Sequence, residues 1–237
     1  MRGIFYYCSM KRIVLLLCLW VCSLTGIAQT QTPAMISNVP DYRKTVREDA
    51  LKQMTDLKKM VPGIVLDLRY ATKNNFTKHV LYRWAGTTFM RTAPAQALAK
   101  IQQALREKGY GIKVFDAYRP WSATKEMWDL VKDERYVADP SKGSNHNRGL
   151  AIDLTIVRLN GGAELNMGTG FDNFTDTAHH SFTQLPQEVL NNRKMLKGIM
   201  EQHGFKPLES EWWHYSWPDD RKYEVLNISL KKLWKGI

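Results

Sequence analysis

Two short stretches of the sequence carry residues that could bind a metal ion. SNHNRGLAID contains His146 and Asp153, and ESEWWHYSW contains His214 with Glu211 three residues before it. Zinc that lacks thiolate ligands is held by histidine and carboxylate, and a catalytic zinc uses three protein ligands and leaves a fourth position for water. His146, Asp153 and His214 would supply these ligands. Glu211 would be available to take a proton from the water.

Each of these residues also has an ordinary structural explanation. A single histidine in a glycine-containing loop is more often a turn or surface residue, and an aspartate in a strand is commonly bonded by backbone donors. A cluster of tryptophans is usually core or interface. Spacing alone does not decide between these alternatives, but the presence of both stretches in one chain favours a metal site.

The two stretches are expected to lie on strands. Residues 151–157 alternate in a way that puts Asp153 on the face opposite the aliphatic side chains. The aromatic residues around His214 predict another strand over residues 212–217. Residues i and i+3 do not share a face of a regular strand, so we expect a turn or bulge to aim Glu211 at the metal.

Periodicity and turn residues predict the remaining elements. Helices are expected where apolar residues recur every three or four positions between Pro and Gly, and strands where they alternate. There is no regular β-α-β rhythm and no glycine-rich phosphate loop. The order predicts an α+β fold with a mainly antiparallel sheet flanked by helices. The predicted helices cover 42–60, 94–108, 121–133 and 186–203, and the predicted strands cover 64–69, 112–118, 151–157 and 212–217.

The start of the chain has the composition of a signal peptide. Basic residues precede an apolar run from Ile13 to Cys22, and small residues lead up to Ala28, where we expect cleavage. The run is shorter than the roughly 20 residues that cross a bilayer, so we expect an exported, periplasmic protein with no transmembrane span in the mature chain. The predicted organisation is a signal peptide at 1–28, a flexible mature N-terminus at 29–40 and one folded domain at 41–237.

The cysteines all fall within the predicted signal peptide, at Cys8, Cys18 and Cys22. The exported chain would therefore form neither a disulfide nor a thiolate metal site. A lipid anchor on Cys18 or Cys22 is the alternative to cleavage after Ala28.

The chain is basic, but its charge is not patterned. The formal net charge is +11, and the first 28 residues hold three basic and no acidic residue, which leaves +8. Basic residues are spread along the chain without a run of five, and no zinc-finger, RNP or helix-turn-helix pattern occurs. We therefore expect no nucleic-acid partner, and the charge fits anionic envelope polymers or substrates better.

The same stretches resemble a known family. SNHNRGLAID fits the pattern SxHxxGxAxD, and EWWH fits the second signature of the zinc-dependent D-alanyl-D-alanine peptidases of the M15 group, whose fold is shared with the Hedgehog signalling domain. LDLRYATKNNF, DAYRP and MGTGFD make the chain similar to the VanX-like D-alanyl-D-alanine dipeptidases from about residue 60 to 217. Lys78 departs from the small residue expected after NFT, which affects the adjoining loop.

The resemblance implies a zinc peptidase site with one Zn²⁺ per chain. Its implied ligands are His146, Asp153 and His214, with Glu211 as general base and acid. Arg119, at the end of DAYRP, is implied to stabilise the oxyanion, a role that suits a permanently charged guanidinium with forked donors.

Three further residues are candidates for binding the substrate. Asp116 would bind the substrate or orient Arg119, and Ser144 and Asp172 would bind the charged ends of a dipeptide, with Asp172 at the ammonium. His179 and His180 are expected not to be metal ligands but to be loop residues or to lie behind the residues that hold the metal.

The function that the resemblance implies is hydrolysis of the dipeptide D-Ala-D-Ala to two D-alanines. Rejection of longer peptides would require a small, closed pocket with groups for both termini. A D,D-carboxypeptidase acting on peptidoglycan peptides and a non-catalytic, zinc-stabilised binding module are the alternatives.

Overall fold

Secondary structure begins at Met35 in the part of the chain that the structure, a computed structural model, describes. The described residues are 34–237 together with residues 1 and 3. Apart from residues 1 and 3, the predicted signal peptide and residues 29–33 lie outside them. None of the helices formed by the described residues has the length and apolar character needed to cross a bilayer.

Nine strands form three sheets among the described residues. The strands are β1 Met35–Ile36, β2 Met54–Asp56, β3 Val65–Leu66, β4 Phe89–Arg91, β5 Tyr110–Asp116, β6 Ala151–Arg158, β7 Lys206–Leu208, β8 Glu211–Ser216 and β9 Val225–Leu226. The main sheet has five strands in the order β3-β5-β6-β8-β7, and only the β3-β5 pair is parallel. Two-stranded sheets pair β1 with β9 and β2 with β4.

Seven helices accompany these sheets within the same described residues. The helices are α1 Val39–Glu48, α2 Leu57–Met60, α3 Thr92–Arg106, α4 Trp121–Val131, α5 Asn145–Arg148, α6 Gln187–Gln202 and α7 Leu230–Gly236. The predicted α+β fold with a mainly antiparallel sheet is confirmed.

Two helices pack on the main sheet. Leu98, Ile101 and Leu105 form the buried face of α3, which packs on β5, and α6 packs on β7 and β8. Every residue of β6 except Arg158 is buried, including the face that holds Asp153. The sheet therefore forms a rigid base for polar side chains enclosed by the fold.

The region before β3 differs from the prediction of one helix over residues 42–60. Helix α1 begins earlier, after the Asn38 cap, and ends at Glu48. Asp49 then adopts extended backbone and its side chain caps the following turn, after which Met54–Asp56 pairs with β4. Strand pairing elsewhere in the chain overrides the local helical pattern here, so the prediction was wrong for residues 49–56, whereas residues 57–60 are helical as α2. Part of the predicted flexible terminus lies in β1 and α1.

Candidate metal centre

Two aspartates and one histidine lie side by side on three neighbouring strands of the main sheet. Asp116 of β5 is paired with Asp153 of β6, and Asp153 is paired with His214 of β8. Directly opposed residues of antiparallel strands project to the same face. The pairing register therefore brings together residues that are far apart in the sequence.

Two irregularities of strand pairing adjust this row. In β5 the register shifts at Phe115, so that Asp116 rather than Phe115 faces Asp153. In β8 the register against β7 shifts so that Leu208 faces Glu211 while the preceding Pro207 faces Tyr215. In a regular strand, residues three positions apart point to opposite faces. The irregular pairing of β8 instead brings Glu211 and His214 near each other, as the sequence predicts.

The other histidine lies on the one-turn helix α5 rather than in a loop. The hydroxyl of Ser144 accepts a hydrogen bond from the backbone N–H of Asn147, and the side-chain oxygen of Asn147 accepts one from the backbone N–H of Ser144, which forms a capping box. Gly149 ends the helix with φ of 73°, where an added Cβ would lie 2.6 Å from Met54. Only glycine fits this turn between His146 and β6.

The predicted ligands converge. The Nδ1 atom of His214 lies 2.9 Å from Oδ1 of Asp153 and 3.3 Å from Nε2 of His146. Nε2 of His146 lies 3.5 Å from the other Asp153 oxygen. One ligand atom from each of the three residues lies within 4.8 Å of the others, so all three can reach one ion.

In each imidazole, one nitrogen points away from Asp153 and has its own hydrogen-bond partner. The other, inner nitrogen points towards Asp153 and is available to a cation. Nδ1 of His146 lies 2.7 Å from the carbonyl oxygen of Ala117, which can only accept, so Nδ1 carries the proton. Nε2 of His214 lies 3.1 Å from Oγ of Ser216, which can also accept. With a cation bound, the lone pairs of both inner nitrogens would face it beside Asp153. This donor set fits zinc, for which such outer hydrogen bonds orient the ligands.

Asp153 is held as a carboxylate despite its burial. Burial alone would raise its pKa, but His146 and His214 hold the pKa well below its usual range. An ionised carboxylate between two nitrogen donors is the form that binds a divalent cation.

Glu211, the first residue of β8, lies next to the three predicted metal ligands. Its Oε2 atom lies 3.9 Å from Nδ1 of His214, and its side chain is 14% exposed. Burial raises the pKa of Glu211 to about 7. A carboxyl group with such a pKa can both accept and return a proton near neutral pH.

Arg119 lies beside Asp153 and is fixed by several neighbours. It donates to Oδ2 of Asp116 from Nε at 2.8 Å, and its guanidinium carbon lies 4.7 Å from the centre of the Tyr70 ring. Its Nη2 atom lies 3.9 Å from Asp153. Burial alone would lower the pKa of Arg119, but Asp116, Tyr70 and Asp153 hold the pKa above its usual value.

Asp116 is fully buried beneath Arg119 and also accepts a hydrogen bond from Tyr82 Oη at 2.9 Å. It does not line the cavity, so the suggestion that it binds the substrate is not supported by its position. Its contacts are those of a residue that orients Arg119.

Asp172 lies in the loop after β6, with φ of 59°. Its Oδ1 atom accepts a hydrogen bond from Tyr70 Oη at 2.9 Å, and its buried Oδ2 atom has no hydrogen-bond partner. Burial, and after it the charge of Asp153, raises the pKa of Asp172 to about 7. A buried carboxylate oxygen without a donor is suited to a cationic ligand.

A cavity of about 320 Å³ lies next to the ligand cluster. Tyr70, Tyr136, Phe174 and Trp213 form the aromatic part of its wall, and Ser144 lines it while also capping α5. The polar part of its lining includes Arg119, Ser144, His146, Asp153, Asp172, Glu211 and His214. Tyr70 was not singled out from the sequence, although it lies within LDLRYATKNNF.

His179 and His180 lie outside the ligand cluster, in the loop that precedes α6. The ring of His180 packs at 6.1 Å from that of Tyr215. Their positions agree with the prediction of loop residues.

The fold and the cluster together define a site of the mononuclear metal-hydrolase class. Two imidazoles and a carboxylate can hold one cation. A second carboxyl group and a guanidinium line the same cavity and could serve as the proton acceptor and the oxyanion donor.

Similar proteins were found by sequence and by structure. A D-alanyl-D-alanine dipeptidase of Escherichia coli (strain K12) is 36% identical over 174 residues, which cover 73% of this chain and 89% of that protein. A D-alanyl-D-alanine dipeptidase of Enterococcus faecium is 34% identical over 186 residues, which cover 70% of this chain and 92% of that protein. A crystal structure of a mutant of the vancomycin-resistance D,D-pentapeptidase VanY in complex with Zn(II) is 20% identical and covers 56% of this chain and 75% of its own, with a TM-score of 0.38.

A family model also matches the chain. The model of peptidase M15, described as D-ala-D-ala dipeptidase, matches residues 50–230. The chain belongs to this family.

Proposed function

We propose that this protein hydrolyses the dipeptide D-Ala-D-Ala to two D-alanines and uses one Zn²⁺ per chain. The observation that carries the proposal is the convergence of His146, Asp153 and His214 within 4.8 Å at a cavity that Glu211 and Arg119 also line. Membership of the D-Ala-D-Ala dipeptidase family supports the substrate.

Glu211 would perform the proton transfers. When bound, zinc would supply a Lewis acid that lowers the pKa of a water molecule toward about 7. Glu211 would accept the proton of the attacking water and deliver it to the leaving amine. Both steps require a carboxyl group that gains and loses a proton near neutral pH.

Arg119 would stabilise the negative charge that develops on the scissile carbonyl oxygen. Its guanidinium is permanently charged, and Asp116 holds it in one orientation, so little rearrangement is needed during the reaction. Lysine would not present the same forked donors.

The two ends of the dipeptide would be bound on opposite sides of the cavity. Asp172, with one oxygen lacking a partner, would accept hydrogen bonds from the substrate ammonium. Ser144 would bind the carboxylate end. Recognition of both charged ends would favour a free dipeptide over a longer peptide.

A substrate comparison tests the proposal. The purified protein should release D-alanine from free D-Ala-D-Ala and little from a pentapeptide that ends in D-Ala-D-Ala. Release from the pentapeptide alone would instead establish the D,D-carboxypeptidase alternative.

Metal analysis tests the cofactor. We expect one zinc per chain in the wild-type protein and almost none in H146A or H214A. Unchanged zinc content in both variants would reject the ligand assignment.

We also propose that the protein is exported to the periplasm with cleavage after Ala28. The basic start, the apolar run and the small residues before the cleavage point support this. The mature protein would begin at Gln29 in N-terminal sequencing of a periplasmic fraction, whereas a lipidated protein would begin at Cys18 or Cys22.

A further inference from the structure

Two arginines are buried outside the cavity and share an uncommon bonding pattern. Arg91 of β4 is 0% exposed and Arg193 of α6 is 5% exposed. The guanidinium of each donates to three backbone carbonyl groups. A guanidinium carries five N–H donors in a planar fork, so it can join separate segments of backbone.

Arg91 joins three segments that are distant in the sequence. Its guanidinium donates from Nε to the carbonyl of Arg148 at 2.8 Å, from Nη2 to that of Glu224 at 3.3 Å, and from Nη1 to that of Lys52. The Glu224 carboxylate lies 3.9 Å away, and the Tyr223 ring centre lies 4.9 Å from the guanidinium carbon.

One of these segments is the helix that carries a proposed zinc ligand. Arg148 is the last residue of α5, two positions after His146. The backbone N–H of Arg91 also donates to the carbonyl of Gly149 at 2.9 Å. Two successive carbonyl groups after His146 are therefore held by one residue. Displacement of this turn would move the His146 ring relative to Asp153.

Arg193 closes the loop that carries Asp172. It donates from Nε to the carbonyl of Met167 at 2.7 Å, from Nη2 to that of Thr177 at 2.9 Å, and from Nη1 to that of His179 at 3.1 Å. Both ends of the Met167–His179 loop therefore meet at a single side chain.

That loop carries Asp172 between the two points held by Arg193. Thr169 accepts a hydrogen bond from Trp212 Nε1 at 2.7 Å, and Asp172 accepts one from Tyr70. Apart from a 3-10 turn at Asp176–Ala178, the loop has no regular backbone hydrogen bonding. Its conformation depends on side-chain contacts such as these.

We propose that the two buried arginines are positioning residues with separate tasks: Arg91 holds the His146 turn in the zinc-binding geometry, and Arg193 holds the loop that presents Asp172 to the substrate ammonium. This inference rests on the proposed function. Neither arginine lines the cavity, so neither touches the substrate.

Matched variants test the division of tasks. R91K and R91M are compared with R193K and R193M in the full chain. Lysine keeps the charge but offers donors from one atom only, and methionine removes both charge and donors. Two quantities are measured: the zinc dissociation constant by competition with a chromogenic chelator, and KM for D-Ala-D-Ala at saturating zinc.

The two pairs should show opposite patterns. Loss of the contacts that orient a metal ligand typically weakens metal binding by about 10- to 100-fold. We expect this loss of zinc affinity for R91K and R91M, with KM changed by less than about twofold. If the loop is correctly formed in about a tenth of the molecules, KM rises about tenfold, which we expect for R193K and R193M with unchanged zinc affinity. Any other pattern overturns the inference.

Hydrogen exchange gives a readout that does not depend on activity. Residues 146–150 should exchange faster in R91K, and residues 167–179 faster in R193K. If neither substitution at one arginine yields a folded protein by circular dichroism, that arginine supports the whole fold and the division is rejected. A wild-type protein that binds no zinc or leaves D-Ala-D-Ala intact would reject the proposed function itself, independently of the variants.

Discussion

The two walls of the cavity are built by different means. On the metal side, Asp153 and His214 lie on paired strands of the main sheet, whose backbone hydrogen bonds fix them. On the substrate side, Asp172 lies in an irregular loop that depends on side chains. Core strands open rarely, whereas a loop without regular backbone hydrogen bonds opens more readily. Metal binding and substrate binding should therefore be separable by mutation.

Aromatic packing attaches the substrate-side loop to the core. Phe171 stacks on Phe115 with ring centres 4.8 Å apart, and Phe174 meets Phe76 edge-on at 5.1 Å. These contacts limit the loop to a small range of positions. They do not replace the polar contacts that orient Asp172.

The largest effect is expected at Glu211, which lies at the metal side without being a ligand. E211Q should lower kcat by about 10³-fold, because general acid and base transfer is lost, while one zinc per chain is retained. Steady-state kinetics and metal analysis of the same preparation check this. Full hydrolysis by E211Q would favour another base.

A smaller loss of kcat is expected for R119K, at about 10²-fold, because one well-placed donor to the oxyanion is removed. KM and zinc content should change little, since the charge is kept. Comparison of kcat and KM separates this effect from substrate binding. A change confined to KM would assign Arg119 to the substrate carboxylate.

The substrate side is tested by D172N, which should raise KM by about 10- to 100-fold, the range expected when a hydrogen bond to a charged group is weakened. The zinc dissociation constant should equal that of the wild type. A matching loss of zinc affinity would contradict the independence of the two walls.

The smallest effect concerns stability at the end of the substrate-side loop. Burial, and after it the charge of Lys197, lowers the pKa of His180 to about 4, although Glu209 opposes this shift. The unfolded chain takes up a proton near pH 6.5 and the folded chain does not, so stability falls as the pH decreases from about 6.5 to about 4. In H180Q this contribution is absent. The urea midpoint of the metal-free protein should therefore drop less between about pH 7.5 and pH 5 in H180Q than in the wild type.

Much of the regular structure could be predicted from the sequence. Helices α3, α4 and α6 and strands β5, β6 and β8 lie within about two residues of their predicted bounds, because their patterns are long and bounded by Pro or Gly. The short strands β1, β4, β7 and β9 were not predicted. Two or three residues carry no periodicity, and their state is decided by a distant pairing partner.

The convergence of the ligand residues followed from two motifs, but their fine positions did not. The register shift at Phe115 puts Asp116 beside Asp153, and no local signal marks it. Arg91 and Arg193 were missed for a related reason. Their acceptors are backbone carbonyl groups, which every residue has, so a buried arginine looks like a surface arginine in the sequence.

The irregular pairing of β8 makes chain length, as well as residue type, a condition for catalysis. Trp212, Trp213 and His214 stand between the positions that face Pro207 and Leu208. Removal of one residue from this stretch would change which side chains project into the cavity, even if every remaining residue were kept. Insertions and deletions should therefore be tolerated far less between Leu208 and His214 than in a surface hairpin of similar size.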